Sequence, residues 1–360
     1  MKIGIDIRST LKKATGIGKY TFNLINALAK VDTENEYYLY SQKKLLDFKR
    51  RLPCLPGKNF SHRVDYFKRG PGVFLPDVDV FHTSSYDLKK PKKARYIVTI
   101  HDVIIKSYPY GHSKKTIKEI DEKLTKTLNE ADVLVVDSRN TKSDLMRFYG
   151  VDEARIQVIY PGVKEAEAKP RQACRGFASA STSYILFIGT LEPRKNVDGL
   201  IKAFDLLKKE HGIKHKLYIA GMKGWMFERI FKSYEGSEFK NDIVFKGYVS
   251  EEELRGLYES ASVFCYPSFY EGFGFPVVEA FSYGVPVVTS KTSSCGEIAG
   301  DSALLVDPSN YKEIAEALFK IIDDSNLAKE LSQKGIERAR DFSWDRTAQE
   351  FIELFTQRGV

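Results

Sequence analysis

The sequence predicts an α/β protein of two doubly wound, Rossmann-like domains, each a parallel sheet covered on both faces by helices. Three observations carry this. Short apolar runs bounded by turn residues alternate with one-sided helical patterns, the sign of parallel strands joined by crossover helices. The 360 residues, 42% hydrophobic and 12% aromatic, exceed a typical single core and suffice for two. The alternation breaks once, from Pro161-Gly162 through Lys169-Pro170 to Ser179–Ser183, a stretch rich in Ala, Ser and charge where the hinge is expected.

In the first half, strands are expected at Ile3–Ile7, Val78–Phe81, Tyr96–Ile100, Val133–Val136 and Ile156–Ile159. Gly16-Ile17-Gly18 precedes a helix with Tyr20, Leu24, Ile25 and Leu28 on one side. In the second half, strands are expected at Tyr184–Ile188, Leu217–Ala220, Ile243–Phe245, Val263–Tyr266, Val285–Val288 and Ala303–Val306. The clearest helical stripe is Val197, Leu200, Ile201, Phe204 and Leu207, with Asn196 as its N-cap. An amphipathic helix closes the chain, from Asp341-Phe342-Ser343-Trp344 to Leu354.

Composition narrows the class. The first residues lack the apolar run of a signal peptide, and no 18 uncharged apolar residues follow one another, so a cytoplasmic protein is expected. Cys54, Cys174, Cys265 and Cys295 lie far apart without a Cys-x-x-Cys pair, which points to reduced, packing thiols. Charge is uneven: residues 1–160 hold 30 Lys and Arg against 19 Asp and Glu, a net +11, while the other 200 hold 26 against 29, a net −3. The basic clusters of the first half, among them Lys89, Lys90, Lys92, Lys93 and Arg95, suit an anionic membrane, a lipid diphosphate or nucleic acid, or form a solvated face.

The chemistry concentrates in a few loops. Glu271 and Glu279 stand eight positions apart across Gly272-Phe273-Gly274-Phe275-Pro276, a loop followed by the start of a helix. Glycines allow close backbone approach, and Pro276 suits a first helical turn. The helix N-terminus favours phosphate or sugar oxygens, with Glu279 in the first turn beside it. Arg194-Lys195 falls between a strand ending near Gly189 and the helix from Val197, at the carboxyl end of a strand, where open α/β sheets bind ligands. Both side chains are expected to be exposed there. His101 ends the strand Tyr96–Ile100 and projects at its rim. The Gly16–Gly18 loop lacks the third glycine of a dinucleotide fingerprint, Thr21 standing there, which counts against NAD. Asp77-Val78-Asp79 has the spacing of a metal-binding acid pair but introduces a strand, and no metal is expected.

Taken in order, Gly16-Ile17-Gly18, His101-Asp102, Gly189 to Asn196, Gly247-Tyr248-Val249-Ser250, Glu271 to Glu279 and Gly284 to Val288 resemble the retaining, nucleotide-sugar-dependent glycosyltransferases of the GT-B fold called GT4. The resemblance covers nearly the whole chain. It implies an acceptor-side domain over residues 1–165, a nucleotide-sugar domain over 166–342, a terminal helix of about 343–360 crossing back onto the first, and a ligand cleft between them. By the same resemblance Arg194 and Lys195 hold the donor diphosphate, Glu279 bonds the ribose, and Glu271 lies by the sugar. Phe273, Gly274 and Phe275 offer backbone N–H groups, Val249 lies beside the base, and Gly16 and Gly18 face the donor. His101 contacts the transferred sugar, while the departing phosphate deprotonates the acceptor.

The resemblance implies a metal-independent hexosyltransferase with no cofactor, using GDP-mannose or else a UDP-sugar, and a glycan or lipid-linked acceptor of surface-polysaccharide assembly. Peripheral contact with an anionic membrane is expected. A nucleotide-sugar epimerase of the same fold is the alternative. A basic nucleic-acid-binding protein is the rival from another class, though no recognised RNA or DNA motif appears.

Overall fold

The structure, a computed structural model, describes residues 1–11, 16–44, 51–110, 113–163 and 183–357. Most of the expected hinge and Cys174 lie outside the described residues. The chain forms two compact units. One comprises Met1–Lys106, His112–Gly162 and Phe342–Val360, the other Ser107–Gly111 and Val163–Asp341. Inclusion of Ser107–Gly111 in the second unit has no counterpart in the hydrophobic pattern.

The first unit holds seven strands, β1 (Lys2–Asp6), β2 (Glu36–Gln42), β3 (Phe60–Asp65), β4 (Val80–Thr83), β5 (Arg95–Ile100), β6 (Val133–Val136) and β7 (Ile156–Val158). They form one parallel sheet in the order β3-β2-β1-β4-β5-β6-β7. The second unit holds β8 (Tyr184–Ile188), β9 (Lys216–Ala220), β10 (Ile243–Gly247), β11 (Val263–Tyr266), β12 (Val287–Ser290) and β13 (Leu304–Val306), parallel in the order β10-β9-β8-β11-β12-β13. Strand order reverses between β1 and β4 and again between β8 and β11. Chains leaving such neighbours diverge, opening a crevice at the carboxyl ends of the strands.

The sequence pattern missed β2 and β3. The tyrosines of β2 obscure its apolar run, yet they are buried because their hydroxyls find acids: Tyr37 bonds Asp32 at 2.6 Å and Tyr40 bonds Asp65 at 2.9 Å. At the sheet edge, β3 (Phe-Ser-His-Arg-Val-Asp) is partly exposed and carries polar residues that no buried strand would.

The terminal helix Trp344–Thr356 belongs to the first unit. Phe351 packs edge-on against His82 at 5.0 Å, and the Arg95 guanidinium donates to the carbonyls of Leu354 and Gln357 at the helix end. Thr347 Oγ1 donates to the Tyr160 carbonyl at 2.8 Å, closing the other end. There the chain leaves no room for a side chain, since a Cβ on Gly162 would lie 2.1 Å from the Trp344 amide nitrogen. Gly162→Ala is therefore expected to destabilise the protein by roughly 1–3 kcal/mol, the usual cost of overpacking. Gly236→Ala, whose new Cβ would meet nothing closer than 3.5 Å, should stay within about 0.5 kcal/mol. Urea denaturation of both variants checks the contrast.

Candidate active site

The crevice between β8 and β11 carries a buried charge cluster. The loop after β8 turns tightly at Pro193–Lys195 before the helix Val197–His211. The loop after β11 delivers Glu271. Glu271 Oε1 lies 2.6 Å from Lys195 Nζ, and Oε2 lies 2.8 Å from Arg194 Nη1. Oε1 also accepts from Ser268 Oγ at 2.6 Å and from Tyr266 OH at 3.0 Å, while Lys195 Nζ donates to that same phenol. Arg194 turns its other side to Glu192 Oε1, with Nη2 at 2.6 Å, and donates from Nη1 to the Tyr270 carbonyl at 2.7 Å. Lys195 is 8% exposed and Glu271 is 7% exposed, which corrects the expectation that the basic pair stands open to solvent.

Electrostatics follow from that burial. Desolvation alone would raise the Glu271 carboxyl, but the charges and hydrogen bonds of Arg194 and Lys195 outweigh it and hold it at about 2. Burial and repulsion from Arg194 bring the Lys195 ammonium down from its ordinary value, against the pull of Glu271. Such a cluster is costly to break from one side, because removing one charge leaves another buried without its partner.

The backbone around it is held in special conformations. Asn196 has φ 56 and occupies the N-cap position without capping; its Nδ2 donates instead to the Pro308 carbonyl at 2.6 Å, tying this loop to the one after β13. Ser293, also at φ 56, accepts from the Glu271 amide at 3.2 Å, and Ser294 Oγ donates to the Glu271 carbonyl at 2.8 Å. Non-glycine residues rarely adopt this left-handed region, and its presence at both sides of a charge cluster marks a site where geometry outranks local ease.

Gly274, at φ 106, starts the helix Phe275–Ser282, with Pro276 in its first turn as the loop pattern implied. Phe273 is buried and packs edge-on to Phe275 at 4.9 Å. Glu279 is the fifth helical residue and so lies beyond the first turn expected for it; its Oε2 accepts from Tyr258 OH at 3.0 Å. Val249 is partly exposed between β10 and the helix Glu251–Ser260, two strands across the sheet from β8. The structure thus brings Arg194, Lys195 and Glu271 into direct contact, sets Gly274 and Glu279 along one adjoining helix, and leaves Val249 at a distance.

The remaining candidates belong to the first unit. Ile100 and Val136 are level across β5 and β6, so the next residues, His101 and Asp137, emerge side by side. His101 Nδ1 meets Asp137 Oδ2 at 2.6 Å, and its buried Nε2 has no hydrogen-bond partner among the described residues. Burial opposes charge on this imidazole, but attraction from Asp137, their hydrogen bond and the charge of Asp102 prevail and hold it above its ordinary value. Tyr20 packs edge-on to the His101 ring at 4.7 Å. That tyrosine lies on the helix Gly16–Val31, which begins at Gly16 itself. Gly16 and Gly18 are therefore first-turn residues instead of a loop before the helix, Gly16 exposed and Gly18 buried.

Sequence reasoning missed Asp137, Glu192, Tyr266 and Ser268. The signal for Asp137 was present, an acid directly at the carboxyl end of an apolar parallel strand. The others are recognisable only once β8 and β11 are neighbours. Of the expected metal-like pair, Asp77 binds Lys93 at 3.1 Å and Asp79 accepts from the Lys2 amide at 2.8 Å. Among the described residues, no group of three or more His, Cys, Asp or Glu is arranged to hold a metal ion.

Two family models meet across this chain, one described as Glycosyltransferase Family 4 over residues 14–167 and one as Glycosyl transferases group 1 over residues 177–338. The chain belongs to the family 4 glycosyltransferases. This glycosyltransferase is 29% identical over 380 residues to the O-antigen chain mannosyltransferase B of Escherichia coli, covering 95% of this chain and 96% of that protein. Its fold matches a sucrose-phosphate synthase from Thermosynechococcus elongatus, with a TM-score of 0.78 at 20% identity over 98% of both chains. It also matches Anabaena HepE in complex with UDP and glucose, with a TM-score of 0.73 at 15% identity over 99% of both. The glycosyltransferase has the GT-B fold and is a retaining hexosyltransferase that takes its sugar from a nucleotide-sugar donor. Among its described residues no helix is long and apolar enough to cross a membrane.

The depressed Glu271 carboxyl has a definite sign. A carboxyl lower in the folded than in the unfolded chain adds stability above its ordinary value of about 4.5, and that stability drains away as pH falls toward about 2. Glu271→Gln should therefore be less stable than the parent by roughly 3–5 kcal/mol above pH 5, the cost of orphaning a buried charge. The gap should narrow steadily below pH 4.5. Denaturant titrations from pH 3 to 7 measure it, and a gap independent of pH would show that the ion pairs do not stabilise the fold.

Proposed function

We propose that this glycosyltransferase moves a mannosyl unit from GDP-mannose to a hydroxyl of a glycan or lipid-linked acceptor in surface-polysaccharide assembly. The observation that carries it is the contact of Arg194, Lys195 and Glu271 at the strand-order reversal of the second unit. As the anomeric carbon parts from the diphosphate, negative charge grows on the phosphate oxygen, and the two cations offset it in a site already stripped of water. Glu271, ionised and held by its ion pairs, lies close to that centre and steadies the positive charge developing on the sugar. The acceptor hydroxyl gives its proton to the departing phosphate as its oxygen bonds the anomeric carbon on the same face, so configuration is retained.

The remaining roles belong to the same reading. His101 contacts the transferred sugar through Nε2, since Asp137 holds Nδ1. Glu279 takes the ribose, Val249 lies beside the base, Gly16 and Gly18 face the donor, and the Phe273–Phe275 backbone meets the sugar hydroxyls. Mannose is favoured by the relative named a mannosyltransferase over almost its whole length; the UDP bound by HepE keeps UDP-sugars as the second choice. No metal is needed where two cations already meet the diphosphate, and activity should survive EDTA.

Contact with an anionic membrane is proposed for the first unit, on a revised surface. Within the cluster from Lys89 to Arg95, Lys90 pairs with Asp132, Lys93 pairs with Asp77 and Arg95 serves the terminal helix. Lys114, Lys115 and Lys123, exposed on the helix Lys114–Glu130 whose Lys118 and Lys126 pair with Glu122 and Glu130, join the exposed Lys89 and Lys92 in that surface.

Donor calorimetry with GDP-mannose and UDP-glucose tests the core of the reading. Lys195→Ala should abolish measurable donor binding and, because this side chain is buried against Glu271, should also lower stability. Glu279→Gln should weaken donor binding by about tenfold, near 1.4 kcal/mol, while keeping the parent's melting temperature. Release of nucleotide only when acceptor is present would separate transfer from epimerisation and from nucleic-acid binding. Unchanged donor affinity in Glu279→Gln would remove that residue from the site.

A further inference from the structure

The second unit carries a cavity of about 430 Å³ walled largely by aromatic rings and lying next to the charge cluster. Tyr108 stacks on Phe269 with centroids 5.9 Å apart and planes 13° from parallel, and Tyr110 meets Tyr108 edge-on at 5.5 Å. Trp225, Met226 and Pro193 complete the apolar wall. Arg229 is the one charged side chain in the lining, and its Nε is paired with Asp198 at 3.1 Å.

Several of these groups are placed at a cost. Tyr110 is 73% exposed and Met226 is 53% exposed with φ 52, the left-handed region that non-glycine residues seldom take. The cavity shares its walls with the loops of the site. Pro193 directly precedes Arg194, and the Phe269 amide donates to the Arg194 carbonyl at 2.8 Å. Tyr108 also feels the charge of Arg194.

We propose that this cavity is a carbohydrate subsite that receives a neutral pyranose ring of the acceptor glycan, an assignment that rests on the transferase reading of the adjoining cluster. A pyranose has a face of C–H groups that lies flat on aromatic rings, and hydroxyls at its rim that phenols and a guanidinium can meet. The lining has no acid to repel or bind, and a charge already paired at its edge, which suits an uncharged ring. The donor's own sugar is joined to the diphosphate and falls at the Glu271–Phe275 loop. A second ring beside it, on Tyr108 and Phe269, is then the acceptor's.

The test uses the full chain and the fact that it has two tryptophans, Trp225 in this cavity and Trp344 in the first unit. Intrinsic fluorescence is titrated with α-mannobiose, N-acetylchitobiose and maltose, and donor affinity is measured separately by calorimetry with GDP-mannose and UDP-glucose. At least one disaccharide should give a saturable change that disappears in Trp225→Phe. In Tyr110→Ala its dissociation constant should rise about tenfold, the size of one aromatic contact, while donor affinity holds. If a nucleotide sugar binds and no disaccharide moves the signal, or Tyr110→Ala binds as the parent does, the subsite is refuted and the transferase reading stands. A response to farnesyl diphosphate in place of every disaccharide would make the cavity a lipid site and overturn the proposal. Failure of every nucleotide sugar to bind would overturn both.

Discussion

The second unit is organised around one requirement, that the Glu271 carboxylate be neutralised where water cannot reach it. Two cations from the loop after β8 meet an anion from the loop after β11, and the Phe269 amide and Ser268 hydroxyl add bonds to the Arg194 carbonyl. Desolvating three charges opposes folding, so the compensation must be nearly complete. Ser268 and Tyr266 donate to the carboxylate oxygen that Lys195 also meets, and the Ser293 and Ser294 hydroxyls hold the Glu271 amide and carbonyl. The left-handed residues Asn196 and Ser293 are tolerated because the charges and hydrogen bonds around them over-determine the loop geometry.

On the proposed reading this arrangement makes the cluster both a staple and a site. In general, a cation preset at a developing phosphate charge needs no reorganisation when the bond breaks, and such preorganisation is a source of catalytic leverage. Presetting requires burial, burial requires a counter-charge, and Glu271 provides it. The same residues therefore hold the strand-order reversal together at the place where open parallel sheets bind ligands.

The first unit repeats the logic with a weaker pair. Adjacent parallel strands in register, β5 and β6, end level with one another and present His101 beside Asp137. The carboxylate fixes which imidazole nitrogen is engaged and leaves the buried Nε2 without a hydrogen-bond partner among the described residues. Tyr20 from the first helix and Trp344 from the terminal helix pack against each other at 5.5 Å, and Tyr20 also meets the His101 ring, so the imidazole is braced by segments from both ends of the chain.

The linear pattern was enough for the α/β class, for eleven of the strands and for the loops that matter, because apolar alternation and Gly-Pro punctuation are local consequences of burial and turn geometry. It placed Arg194 and Lys195 on a strand-end loop, and Glu271 and Gly274 in a loop before a helix, for the same reason. It overlooked β2, whose tyrosines needed acids elsewhere in the chain before they could be buried, and β3, whose exposed edge relaxed the pattern. It read Lys195 as exposed, since a lysine in a polar loop has no local reason to be buried. Only the tertiary fold, by making β8 the neighbour of β11 and β5 the neighbour of β6, brought Glu271 to that lysine, Asp137 to His101 and Tyr108 to Phe269. Charge pairing and ring stacking act over a few ångströms in space and are indifferent to separation along the chain, so these contacts were left for the fold to decide.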